Sequence, residues 1–95
     1  MIKIFFQDLP PRIYGATQHD KKTGIFWVLI DSKQCDLRKR YIFGHELAHV
    51  ILHHHDSKET LAENEAEANR RAWEFYREHK AVFYQLQRSG KAIIV

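Results

Sequence analysis

Ninety-five residues with a net charge of +3 and 44% apolar side chains can build one modest core over residues 1–95, with little room for a separate substrate-binding lobe. No apolar run approaches the length of a membrane span, and Met1-Ile2-Lys3-Ile4-Phe5-Phe6 is broken by Gln7-Asp8 before it could act as a signal peptide, so no membrane partner and a cytoplasmic location are expected. The single cysteine, Cys35, excludes an internal disulfide and suits a reducing compartment.

In chain order, Met1 to Phe6 reads as a short apolar strand, closed by Asp8-Leu9-Pro10-Pro11 because proline cannot donate to a ladder. Arg12 to Gln18 and Gly24 to Asp31 are β-rich runs joined by the polar turn His19-Asp20-Lys21-Lys22-Thr23, which predicts a hairpin. A helix follows from about Asp36 to His54, with Phe43, Leu47, Val50 and Ile51 on one face and His53-His54-His55 at its C-terminal end, where imidazolium charge is favourable. Asp56-Ser57-Lys58 then turns the chain into a second helix, Thr60 to His79, opened by Thr60 and Glu63 as a capping box. His79 to Gln87 either continues that helix or packs as a third, and Lys91 to Val95 has strand character after the release at Ser89-Gly90. The expectation is an α+β fold, a small N-terminal sheet of about three strands followed by two functional helices. Lys21-Lys22, Arg38-Lys39-Arg40 and Arg70-Arg71 are short basic clusters rather than a stripe. They read as solvated faces, and nucleic acid is not the expected partner.

Within the first helix, His45-Glu46-Leu47-Ala48-His49 has the H-E-x-x-H pattern. Residues four apart return to the same helical face, so His45 and His49 can aim their ring nitrogens at one point, while Glu46 projects about 100° away. Two imidazoles beside a carboxylate suit a zinc ion, with Glu46 as the base that takes a proton from water.

A catalytic zinc site needs a third protein ligand, and the second helix is where to seek it. Glu63 is occupied by the capping box, and Glu67 and Glu74 sit among Arg70, Arg71 and Glu78 as solvated charges. Glu65 instead falls among Leu61, Ala68, Ala72, Phe75 and Tyr76, an apolar face on which an unpaired carboxylate is costly. Ala68 and Ala72 would let the two helices approach closely enough for Glu65 to reach His45 and His49. Asn69, one turn on, is placed to hydrogen-bond a ligand imidazole. Glu67 stays open as the alternative ligand.

His45-Glu46-Leu47-Ala48-His49 followed by Glu65-Ala66-Glu67-Ala68-Asn69 and Ala72 resembles the ImmA/IrrE type of zinc metallopeptidase within the gluzincin group. The likeness extends back to the run Ile25 to Asp31 and the basic turn Leu37 to Tyr41, about Gly24 to Ala72 in all. Arg71 departs from the phenylalanine usual before that alanine, and Trp73-Glu74-Phe75-Tyr76 replaces a leucine-rich continuation. The resemblance implies a zincin-like fold, Zn2+ as cofactor, and a protein or peptide substrate such as a helix-turn-helix repressor of a phage or mobile element. Peptide hydrolysis at such a site would also need an added donor for the tetrahedral intermediate, and Tyr76, His79 and Tyr84 lie after Glu65 as candidates.

Two functions follow from these residues. One is a small zinc-dependent peptidase in which His45, His49 and Glu65 hold the metal and Glu46 activates water. The other is a non-catalytic zinc-bound regulator or adaptor for a partner protein. The intact Glu46 argues for the first, since a structural site has no need of it.

Overall fold

In the computed structural model, residues 1–56 and 58–95 are described; Ser57, inside the turn expected between the two main helices, lies outside the described residues. Alternation along the first strand sets the architecture. In β1 (Ile2–Gln7) Ile2 and Ile4 are buried while Lys3 and Phe5 are only half-buried, so one face of the sheet meets the helices. A hairpin of β2 (Gly15–His19) and β3 (Phe26–Asp31) forms where the sequence predicts it, with Thr17 opposite Val28. Asp20 closes its turn, its side chain accepting from the Lys22 N–H at 2.9 Å and its carbonyl from the Gly24 N–H at 2.8 Å.

β3 then pairs in parallel with β1, Ile4 lying opposite Val28. The C-terminal stretch adds β4 (Lys91–Ile94), antiparallel to β1 with Ala92 opposite Ile4. The sheet therefore has four strands in the order β2-β3-β1-β4, rather than three from the N-terminal part alone. Gly90 makes the return possible: at φ 77° it takes the left-handed conformation that ends the last helix, and its carbonyl accepts from the Phe6 N–H at 3.0 Å.

α1 (Asp36–Ile51) and α3 (Lys80–Ser89) cover the sheet's inner face, and α2 (Leu61–Glu78) packs against α1. Thr60 caps α2 as expected, its hydroxyl accepting from the Glu63 N–H at 3.1 Å. The final helix is separate, because the chain breaks from helical geometry at His79 (φ −122°, ψ 29°). α1 ends three residues earlier than the sequence suggests. His53 takes a positive φ of 58° and a short 3₁₀ turn, His54–Asp56, carries the chain back on itself.

Phe43, Leu47, Phe83 and Leu86 from the helices meet Ile4, Val28 and Ile30 from the sheet, all fully buried, with Phe43 and Phe83 edge to face at 5.3 Å. Each such side chain contributes about 1.5–3 kcal/mol by leaving water. Asp31, at the end of β3, is buried too. Its carboxylate accepts from Lys33 Nζ, Gln34 Nε2 (each 2.9 Å) and the Leu9 N–H (3.2 Å), tying the loop before β2 to the turn before α1. These bonds hold its carboxyl well below the usual carboxylate range.

Candidate metal centre

Small residues bring the two long helices together. Gly44 and Ala48 on α1 and Ala68 and Ala72 on α2 each repeat at four-residue spacing, and the three alanines are fully buried. A β-carbon at Gly44 would overlap the Ala72 carbonyl oxygen. That approach lets a glutamate span the gap between the helices.

His45 and His49 converge on the same point, their Nε2 atoms 3.1 Å apart. Glu65 closes the triangle, Oε2 lying 3.1 Å from His45 Nε2 and Oε1 2.8 Å from His49 Nε2. One ligand atom from each of the three residues lies within 4.8 Å of the others, the only such group of three among the described residues. Two imidazole nitrogens and a carboxylate converging on one point form a donor set that a divalent cation satisfies. Glu65 is more exposed than expected, its side chain 46% accessible at the edge of the helical contact, and Leu61 is exposed while Asn64 takes the buried place on that face.

Glu46 is buried beside this group and faces β2. The Thr17 hydroxyl donates to its Oε2. Gly15, two residues earlier on the same strand face, leaves the carboxylate its space: a β-carbon there would come within 2.7 Å of Ile42 Cγ2 and 3.0 Å of Glu46 Oε1. Burial pushes the Glu46 carboxyl up, with the Thr17 hydrogen bond and His45 opposing that rise. Burial likewise lowers the His49 imidazole, and the Glu65 charge opposes it.

His49 is held from its other side. Its Nδ1 lies 2.8 Å from Nδ1 of His54, whose Nε2 is 2.7 Å from Glu67 Oε1. Glu67 thus meets His54 rather than the convergent nitrogens, and His54 turns inward rather than serving the helix end as a free charge. His45 Nδ1, by contrast, is buried without a hydrogen-bond partner.

Asn69 lines a cleft of about 440 Å³ with Tyr14, Tyr41, His45, Glu46 and Glu65. Its Oδ1 accepts from the Tyr41 hydroxyl at 2.8 Å, so it does not make the expected bond to a ligand imidazole. Tyr76 and His79 are placed away from the centre. Tyr76 is packed against Phe43 and Phe83 in the core, where burial raises its phenol pKa, and His79 Nδ1 bonds the Phe75 carbonyl at 3.0 Å. The α2 face that carries Tyr76 turns to the core, and His79 caps the end of the helix. Tyr14 and Tyr41 are the phenols that line the cleft, and the position of Tyr41 one turn before His45 was a signal available in the sequence.

A family model described as the IrrE N-terminal-like domain, Peptidase_M78, matches residues 2–87. No curated protein and no solved structure gives a match.

Proposed function

Because the chain belongs to the Peptidase_M78 family of IrrE N-terminal-like domains, we propose that it is a small zinc-dependent metallopeptidase. The observation that carries the proposal is the convergence of His45, His49 and Glu65 with Glu46 buried beside them. In this reading the first three residues hold zinc, which supplies a Lewis acid that polarises a peptide carbonyl and acidifies water.

Glu46 takes the proton from the attacking water and passes it to the leaving amine. Its raised pKa, set by burial, makes it a better base than a solvated carboxylate, and Thr17 with Gly15 fixes its orientation from β2. The Tyr41 hydroxyl lies in the same cleft and donates to Asn69 Oδ1; exchanging that bond for one to the developing oxyanion would let it serve as the added donor.

β2 is an outer strand of the sheet, and it is the strand that seats Glu46. An extended substrate segment adding to its free edge would run past the metal ligands, with backbone hydrogen bonds supplying affinity. Arg12 and Arg38 line the cleft and make no ion pair among the described residues, which favours a substrate with an acidic side chain near the scissile bond. A protein substrate offering such a segment, as a helix-turn-helix repressor could, fits this reading.

A zinc-bound adaptor without turnover would gain nothing from a desolvated carboxylate, whose burial is costly. The test is zinc content of wild type, Glu65→Ala and Glu67→Ala by elemental analysis, beside cleavage of a mixed fluorogenic peptide library. At saturating zinc, about one zinc per chain in wild type and Glu67→Ala, lost in Glu65→Ala, with cleavage abolished by a chelator, is the expected result. A wild type that binds no zinc, or cleaves equally well without it, would overturn the proposal.

A further inference from the structure

We infer that His54 and Glu67 form a positioning relay that locks His49 in the one tautomer able to bind a metal through Nε2. The inference rests on the zinc reading of His45, His49 and Glu65.

The relay follows from proton bookkeeping along three groups. Between His49 Nδ1 and His54 Nδ1, 2.8 Å apart, one nitrogen must carry a hydrogen and the other must be bare. At the far end His54 Nε2 faces Glu67 Oε1 at 2.7 Å. An ionised carboxylate only accepts, so that nitrogen carries the hydrogen. With a metal on His49 Nε2, the proton of His49 sits on Nδ1 and is donated to a bare His54 Nδ1, which leaves the His49 Nε2 lone pair facing Glu65 and His45.

Reversing the polarity is incompatible with a metal on His49 Nε2. A hydrogen on His54 Nδ1, whether in the other neutral tautomer or in an imidazolium that donates from both nitrogens, would push the His49 proton onto Nε2, where it blocks the metal. Glu67 at one end and the metal at the other therefore together select the tautomer of His49.

The backbone is arranged for this contact. The left-handed turn at His53 reverses the chain after α1 and brings His54 back over His49. α2 then holds His54 from two positions on one face: Glu67 at the ring, and Asn64, whose Nδ2 donates to the His54 carbonyl at 3.3 Å. The His54 side chain is 6% exposed, so water offers it little competing hydrogen bonding. His45 has no such partner, which makes the restraint specific to one of the two imidazoles.

A purely structural tie between the connecting turn and α2 would stabilise the fold without fixing a proton. Two measurements on the full chain separate the readings. Long-range ¹H–¹⁵N spectra of zinc-loaded wild type should show His49 protonated at Nδ1 and His54 at Nε2; a hydrogen on His54 Nδ1 would overturn the relay. Zinc affinity, by competition with a chromogenic chelator, should fall about 10- to 100-fold in both His54→Ala and Glu67→Ala. Glu67→Gln, which keeps an acceptor oxygen, should recover most of that loss, and the double alanine variant should lose no more than the worse single one. Affinity within about twofold of wild type in both alanine variants would overturn the relay and leave the zinc site standing. Absence of zinc binding in the wild type would overturn the site and the relay together.

Discussion

Gly44 faces the main-chain carbonyl of Ala72 with no room for a β-carbon between them. This contact sets how deeply α1 and α2 interlock, and it lies one residue from His45 and seven from Glu65. The helices cannot move apart there without carrying Glu65 away from the histidines.

Gly44→Ala should therefore cost stability and metal affinity together. Overpacking of this kind costs about 1–3 kcal/mol. Urea unfolding of the apo protein and chelator competition for zinc would measure the two effects. Unchanged zinc affinity in a folded Gly44→Ala protein would show that the helix spacing does not control the site.

Glu46→Gln keeps the size of the side chain and removes the base. Zinc content should be unchanged, and cleavage of the fluorogenic peptide library should drop about 10²- to 10⁴-fold, the usual contribution of a general base. Cleavage retained at the wild-type rate would refute the role given to Glu46.

Gly15→Ala adds one carbon against Ile42 and the Glu46 carboxylate. A shift of the base by a fraction of an ångström to 1 Å can cost up to about 10²-fold in rate. The expected outcome is slower cleavage with zinc affinity intact, since Gly15 faces the base and not the ligands. Loss of zinc alone would contradict that placement.

Metal removal should lower thermal stability, because zinc bound only by the folded chain stabilises it by about 2.7 kcal/mol at free zinc 100-fold above Kd. For a chain of this size that corresponds to roughly 10 to 20 °C in Tm. Scanning calorimetry with zinc and with a chelator would show the shift in wild type and not in His45→Ala. An equal shift in both would place the bound zinc elsewhere.

Asp31 predicts an acid limb in stability. Its folded-state pKa is depressed below the ordinary value of about 3.9, chiefly by Gln34 and Lys33, so its contribution is fully present above that value. As pH falls from about 4 towards the lower folded-state value, the carboxylate is protonated and the contribution is lost. Urea midpoints between pH 7 and pH 2 should fall more steeply in wild type than in Asp31→Asn. Parallel curves would show that Asp31 does not carry the dependence.

What the sequence determined by itself is what lies within one element. Four-residue spacing alone puts His45 and His49 side by side and turns Glu46 from them, Thr60 and Glu63 announce a helix start, and alternation with a polar turn announces the hairpin. The tertiary structure decided everything that depends on how one element lies against another. Glu65 and Glu67 are two residues apart on one helix, and only the rotation and depth of its packing against Gly44 send one to the histidines and the other to His54. Thr17 reaches Glu46 across 29 residues of chain, and β4 finds β1 from the far end of the sequence. Tyr76 and His79 follow Glu65 closely in sequence, yet the turn of the helix gives them to the core and to the helix end. Spacing along a chain fixes direction within a helix or strand, whereas meetings between elements are set by close packing, where one missing methyl group decides the distance.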